Sequence, residues 1–129
     1  MTLVDTSSWI EALRQHGDPA VRARVARLLE QGEAAWCQIV RLELWRGANN
    51  DWDRQLLRHM EATLKMLAMS DEVWERAIGL SQKMRSEGLT VPLPDLLVFA
   101  CASVHGVEIE HNDKHFALMA AKYPPSMQA

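Results

Sequence analysis

The sequence predicts an α/β protein, a three-layer α/β/α sandwich with a central parallel sheet. Short strand-like segments at residues 2–4, 34–37 and 107–110 alternate with longer segments in which apolar residues recur at helical spacing. Such alternation favours parallel strands with helices packed on both faces of the sheet. The 129 residues, of which 48% are hydrophobic, are enough for one buried core. No internal repeat or low-complexity segment divides them, so we expect a single domain spanning residues 1–129.

Capping residues mark the elements of the first half. Ser7 or Ser8 is a candidate N-cap for the first helix. Asp18 can cap the second, which has Pro19 at its first position, where proline is favoured. Gly47 can end the helix that follows the second strand. The expected order is a strand at 2–4, helices at 6–15 and 18–31, a strand at 34–37, a helix at 38–46, a polar loop at 49–51 and a helix through about residue 65.

Similar signals order the second half. Ser70 and Asp71 can cap a long helix. The Pro-Leu-Pro segment at 92–94 forces an extended approach to the next helix, and Gly106 can end that helix. Asp113 can cap the last one. The expected order is a strand at 66–69, a helix at 70–86, a weak strand or extended linker at 89–91, a helix from 94 or 95 to 105, a strand at 107–110, a helix at 113–122 and a tail from 124–125.

Composition limits the classes of partner and compartment. The net charge of −3 gives no overall attraction to polyanions or anionic membranes, but arginines cluster locally. The two groups are Arg14, Arg22, Arg24 and Arg27, and Arg41, Arg46, Arg54 and Arg58. Cys37 and Cys101 lie in apolar surroundings and are expected to be reduced. No apolar run reaches the ~18 residues of a membrane span, and no secretory pattern opens the chain, so we expect a cytoplasmic protein without a membrane partner.

Four acidic residues in separate segments can meet at one edge of the predicted sheet. Asp5 follows the first strand and Asp113 follows the last, and the carboxyl ends of parallel strands share an edge. Asp95 stands near a helix start, and helix starts cluster at the same edge. Glu43 shares a helix face with Val40, so it points toward an apolar layer in which an unpaired carboxylate is costly. We call Asp5, Glu43, Asp95 and Asp113 the acidic quartet.

Four like charges in one cleft repel one another, so either some are protonated or a divalent cation offsets them. Oxygen ligands favour Mg²⁺ or Mn²⁺ over Zn²⁺. Each residue also has a structural alternative. Asp5 and Asp113 can be N-caps and Asp95 a first-turn acid favoured by the helix dipole, while Glu43 can pair with a buried arginine. Their joint placement at one edge favours the metal site.

Four segments resemble the signature segments of PIN-domain ribonucleases, specifically the VapC-type toxins of bacterial type II toxin–antitoxin pairs. They are Leu-Val-Asp-Thr-Ser-Ser-Trp-Ile at 3–10, Glu-Leu-Trp-Arg-Gly at 43–47, Pro-Asp-Leu-Leu-Val-Phe-Ala at 94–100 and His-Asn-Asp-Lys-His-Phe at 111–116. They appear in the family's order and spacing, and the resemblance covers essentially the whole chain. It implies that the acidic quartet is catalytic and binds the metal, and that Thr6 and Ser7 support the first aspartate by hydrogen bonding.

The resemblance further implies Mg²⁺ or Mn²⁺ as cofactor, cleavage of single-stranded RNA, a homodimer and a small VapB-like antitoxin as partner. Departures from the family pattern occur at three places: His111 stands where a small hydroxyl residue is common, Lys114 and His115 replace a further acid, and Val40 replaces a threonine. RNA would approach along basic side chains. The candidates for this role are Arg14, Arg41, Arg46 and His115.

Three other interpretations compete with this one. If the chain is extended there, His111, Asp113 and His115 share one side and could bind zinc. A signalling receiver domain is also a small α/β sandwich with acids at the sheet edge. It would need a phosphate-accepting aspartate, which Asp71 offers, and a lysine ending the last strand, where Glu110 and His111 stand. The third is a PIN-like binding module without catalysis.

Overall fold

In residues 1–124, the part of the chain that the computed structural model describes, four short parallel strands form the centre of the molecule. The strands are β1 (Thr2–Val4), β2 (Ala34–Trp36), β3 (Lys65–Met66) and β4 (Glu108–Glu110). They lie in the order β3-β2-β1-β4, and every pairing is parallel. Leu3 lies opposite Ala35 on one side and Ile109 on the other. The sheet thus places the ends of β1 and β4 side by side.

Helices cover both faces of this sheet, so the predicted α/β/α sandwich is confirmed. They are α1 (Thr6–Leu13), α2 (Pro19–Glu30), α3 (Gln38–Gly47), α4 (Asp51–Thr63), α5 (Asp71–Ser86), α6 (Leu93–His105) and α7 (Lys114–Lys122). The α6 helix packs against α3, α5 and α7 and carries consecutive buried side chains from Val98 to Ala102. A helix that is apolar on all sides belongs in the interior. Asp95, in its first turn, therefore stands on a rigid element.

Most of the predicted caps are confirmed. The Asp18 carboxylate accepts hydrogen bonds from the N–H groups of Ala20 and Val21, and Asp113 accepts one from His115. Gly106 ends α6 in the left-handed region, at φ 67°, where glycine has no steric penalty. Ser7 and Ser8 are wrong as caps of α1, and the alternative is confirmed, because Asp5 is its N-cap and accepts from the N–H of Ser7. Ser70 precedes α5 without a side-chain cap bond.

The elements differ from expectation mainly around β3. The strand predicted at 66–69 pairs only at Lys65–Met66, with one further bond from the N–H of Leu67 to the Trp36 carbonyl at 2.8 Å. The α4 helix ends at Thr63, earlier than expected, and residues 89–91 are the extended linker and not a strand. Of the tail predicted at 124–125, residue 125 lies outside the described residues.

The interior is closed by large apolar side chains, with Trp9, Trp36, Phe116 and Tyr123 each about 1% exposed. Both cysteines are free and buried, as expected. Within residues 1–124, no helix combines the length and apolar character required to cross a membrane.

Gly17→Ala is expected to lower the free energy of unfolding by about 2 kcal/mol, because it overpacks a closed site. A Cβ at the buried Gly17 would lie 1.7 Å from the backbone oxygen of Glu11, and a helical carbonyl has little room to move. Gly79→Ala is the control, since a Cβ there meets nothing within 4 Å and alanine favours the α5 helix by about 0.5–1 kcal/mol. Urea denaturation compares the two. Equal stability of both variants would contradict the close contact.

Candidate active site

The Asp5 carboxylate is buried where β1 ends, with 4% of the residue exposed. Ser7 donates to Asp5 Oδ2 twice, from its backbone N at 3.0 Å and from its hydroxyl at 2.6 Å. The Ser7 hydroxyl in turn accepts from the N–H of Asn112 at 2.9 Å, which ties the turn after β4 to this site. Asp5 is therefore an N-cap and a positioned buried carboxylate at the same time. Both of its bonds use Oδ2, which leaves Oδ1 for a ligand.

Glu43 lies half-buried on α3 and accepts a 2.7 Å hydrogen bond from the hydroxyl of Thr6. This differs from the expectation in two ways. Thr6 supports Glu43 instead of Asp5, because its side chain points toward α3 while that of Ser7 turns back to the cap. Among residues 1–124, no arginine pairs with Glu43, so the alternative of a buried ion pair is wrong. The first turn of α1 thus orients two carboxylates with two adjacent hydroxyls.

Asp95 and Asp113 both contact the ring of His115. Asp113 Oδ1 accepts from the backbone N–H of His115 at 2.9 Å as the N-cap of α7. Nδ1 of His115 lies 2.8 Å from the same Oδ1 and 3.2 Å from Asp95 Oδ2. One ligand atom from each of the three residues falls within 4.8 Å of the others. Within residues 1–124, these three residues form a group of metal-type ligands at the sheet edge.

The pKa of Asp95 reports on the surroundings of this carboxyl group. Burial and the negative charges of Asp113, Asp5 and Glu43 together raise the pKa of Asp95 to about 6. The charge of His115 acts in the opposite direction. Burial also acts upward on the pKa of Asp113, but hydrogen bonds from the backbone and ring of His115 outweigh it and hold that pKa below its usual value. The whole acidic quartet therefore acts on one small volume around Asp95.

Such a donor set fits a hard divalent cation. Mutual repulsion among the carboxylates raises the cost of keeping Asp95 ionised, and a bound positive charge would remove that cost. Carboxylate oxygens with room for water suit Mg²⁺ or Mn²⁺. Asp95 and Asp113 present their oxygens to a common point, and Asp5 and Glu43 supply further negative charge nearby.

The His111–Asp113–His115 zinc arrangement is wrong, because α7 begins at Lys114 and ends the extended geometry that it needs. Nδ1 of His111 lies 3.5 Å from the backbone N of Asp113, and its ring packs against Phe116 with 5.3 Å between centroids. His115 groups with Asp95 and Asp113 instead.

The candidate RNA-binding arginines have different surroundings. Arg14 lines a hollow of about 250 Å³ together with Thr6 and Glu43, and it pairs with Glu11 at 2.8 Å. Arg41 is held by Glu61 at 2.6 Å, next to α4. Arg46 is exposed on α3, with no polar partner in the part of the chain described. Of these three arginines, Arg14 thus lines a hollow together with one member of the quartet, Glu43.

A buried network behind the site is absent from the sequence prediction. Glu110 Oε2 accepts from the fully buried hydroxyl of Ser8 at 2.6 Å, and Glu110 Oε1 pairs with Arg24 Nε at 2.7 Å. The backbone oxygen of Glu110 also accepts from the N–H of Asp5 at 2.9 Å. Contacts that join residues 86 and 102 positions apart leave no local pattern in a sequence.

Comparisons with known proteins identify the family. The PIN domain family model matches residues 2–122. Ribonuclease VapC11 of Mycobacterium tuberculosis is 34% identical over 124 residues, which cover 93% of this chain and 92% of that protein. Ribonuclease VapC21 of the same organism is 34% identical over 106 residues, covering 80% and 77%. The structure of VapBC2 from Rickettsia felis bound to a promoter DNA fragment is similar in fold, with a TM-score of 0.71 at 18% identity over 84% of each chain. The chain therefore belongs to the PIN domain family and is a VapC-type member of it.

Proposed function

We propose that this chain is a metal-dependent endoribonuclease, the toxin of a toxin–antitoxin pair, which hydrolyses phosphodiester bonds in RNA. The observation that carries the proposal is the convergence of the acidic quartet, through which burial and like charges raise the pKa of Asp95 to about 6. Carboxylates held together at such a cost are typical of a cation site. Relatives that are 34% identical and named ribonucleases support the choice of RNA as substrate.

In this proposal, Asp5, Asp95 and Asp113 hold Mg²⁺ or Mn²⁺, and Glu43 ligates it or orients a water. A bound cation supplies charge that stabilises the phosphoryl transition state and lowers the pKa of water. The protein's own side chains hold the carboxylates in place. Ser7 fixes the rotamer of Asp5, and Thr6 fixes that of Glu43, so neither carboxylate has to be ordered when substrate binds.

RNA is proposed to reach the quartet along a basic rim. Arg14 is 58% exposed and lines the hollow that contains Glu43, which supports a contact with a phosphate or base next to the scissile bond. Arg46 is exposed and available. Arg41 would first have to break its ion pair with Glu61, so we rank it below the other two arginines as an RNA contact. His115 stands inside the carboxylate group rather than on the rim.

The proposed partners are a VapB-like antitoxin and a second copy of this chain. Support for the antitoxin comes from the similarity in fold to VapBC2. Large apolar side chains that are unusually exposed are available for such contacts, notably Trp52 at 74% and Leu42 at 64%. Co-expression with the product of the adjacent gene, followed by light scattering of the free and bound chain, tests both partners.

The ribonuclease proposal predicts that the purified chain cuts a structured RNA in Mg²⁺ or Mn²⁺ and loses that activity in EDTA. Asp5→Asn should lower the cleavage rate at least about 100-fold. Asparagine can still cap α1, so the loss would come from the missing charge. Asp51→Asn is the matched control, since Asp51 is 95% exposed in the first turn of α4. Cleavage that survives both EDTA and Asp5→Asn would refute the metal mechanism, and antitoxin binding without any cleavage would indicate a non-catalytic module.

A further inference from the structure

The ring of His115 occupies a position in the carboxylate group that an RNA contact does not explain. We propose that His115 is itself a ligand of the cation, through Nδ1, and that the resulting mixed oxygen–nitrogen set binds Mn²⁺ in preference to Mg²⁺. The inference rests on the proposed function, since it concerns the same cation site. It adds a ligand outside the acidic quartet and a choice between the two metals.

Two of the separations among the three donor atoms match those between adjacent corners of an octahedron. Two ligands at about 2.1 Å from one ion and 90° apart lie about 3.0 Å from each other. The observed separations are 2.8 Å from His115 Nδ1 to Asp113 Oδ1 and 3.2 Å from His115 Nδ1 to Asp95 Oδ2. Nδ1 therefore lies close to one carboxylate oxygen of each of the two aspartates. Nδ1 is thus placed as a third donor facing the same point.

The backbone holds the imidazole in this place before any ion binds. His115 is the second residue of α7, and its own N–H donates to Asp113 Oδ1, so the ring and the carboxylate are fixed to the same helix end. The His115 side chain is 26% exposed, against 16% for that of Asp95. A neutral imidazole with its proton on Nε2 offers the Nδ1 lone pair to a cation. Ligation therefore requires that Nδ1 carry no proton, and it requires no large movement of the ring.

An imidazole in the ligand set changes the preference among divalent cations. Mg²⁺ prefers oxygen donors and near-ideal octahedral geometry, whereas affinities of mixed nitrogen–oxygen sites rise along the first transition series. In this chain His115 adds a nitrogen donor beside the carboxylate oxygens of Asp95 and Asp113. The expected consequence is tighter binding of Mn²⁺ than of Mg²⁺.

Pulsed electron paramagnetic resonance of bound Mn²⁺ tests this ligation directly. The full chain, freed of any histidine tag, should show ¹⁴N modulation from a directly bound imidazole. His115→Gln should remove the modulation and weaken Mn²⁺ binding at least about tenfold in calorimetry, because even changes outside the ligand set cost about 10-fold to 100-fold. His111→Gln is the matched control and should keep the modulation, since His111 lies two residues before Asp113 yet outside the donor group. His115→Asp restores an oxygen donor and should shift the preference toward Mg²⁺.

The outcomes separate this inference from the ribonuclease proposal. Mn²⁺ that binds in an Asp95-dependent way without ¹⁴N modulation would overturn the role of His115 and leave the nuclease intact. Modulation that persists in His115→Gln, or that disappears in His111→Gln at unchanged thermal stability, would overturn it as well. A chain that binds neither Mn²⁺ nor Mg²⁺ would overturn both proposals.

Discussion

Asp95→Asn is expected to abolish RNA cleavage and, in the absence of divalent cations, to make the protein more stable at neutral pH. The two effects have one cause. The ionised Asp95 is partly buried and lies near the negative charges of Asp113, Asp5 and Glu43, so its charge opposes folding unless a cation is bound. Asparagine keeps the size of the side chain and removes the charge. The loss of cleavage should be at least about 100-fold.

The direction of the pH dependence follows from the pKa of Asp95. Its folded value of about 6 lies above the ordinary 3.8, so the unfolded chain loses this proton first as the pH rises. The destabilisation caused by the ionised Asp95 is absent below about pH 4, grows between about pH 4 and 6 and is complete above about pH 6. A difference of about two pKa units corresponds to roughly 3 kcal/mol as an upper bound, and solvent screening reduces it to about 1–2 kcal/mol.

Urea denaturation at pH 4, 5.5 and 7.5 in EDTA measures the difference in the free energy of unfolding between Asp95→Asn and the unchanged protein. It should rise from near zero at pH 4 to its full value at pH 7.5. Adding Mn²⁺ should reverse it, because only the unchanged protein gains full binding energy. Asp51→Asn, at the 95% exposed carboxylate, should show no such trend. A variant that is less stable than the unchanged protein at pH 7.5 in EDTA would mean that Asp95 already has a sufficient protein partner.

The sequence was most informative where local chemistry decides the structure. The Asp18-Pro19 start of α2, the Gly106 end of α6 and the Asp113 cap of α7 all follow from backbone groups a few residues apart. The parallel direction of the strands could be predicted from the alternation of strands and helices alone. The length of β3 was overestimated. An apolar Met-Leu-Ala-Met segment has the pattern of a strand even though most of it packs beside the sheet without pairing.

The site could be predicted as a set of residues but not as a set of bonds. Acidic residues after β1 and at the starts of helices point to a common edge, yet sequence spacing does not tell whether Thr6 faces Asp5 or Glu43. That choice depends on how closely α1 and α3 pack, which is a tertiary property. The position of the His115 ring between Asp95 and Asp113 depends in the same way on the docking of α6 against α7.

Glu110→Ala is expected to lower the free energy of unfolding by about 3 kcal/mol, although Glu110 belongs to no motif. The carboxylate is 10% exposed and joins three elements, since it accepts from Ser8 on α1 and from Arg24 on α2 while standing at the end of β4. Removing it leaves the fully buried Ser8 hydroxyl without its acceptor, and such an orphaned group costs about 1–3 kcal/mol before the lost ion pair is counted.

Two further variants divide that expected loss between its causes. Glu110→Gln keeps an acceptor for Ser8 and loses only the charge, so it should cost about 1 kcal/mol, because Arg24 is 43% exposed and water screens its pairing. Glu108→Ala changes the exposed glutamate two residues earlier on the same strand and should cost less than about 0.5 kcal/mol. Urea denaturation at pH 7 ranks the three. If Glu110→Ala matched Glu108→Ala, the network behind Asp5 would contribute nothing to stability, and Asp5 would be positioned by Ser7 and the sheet alone.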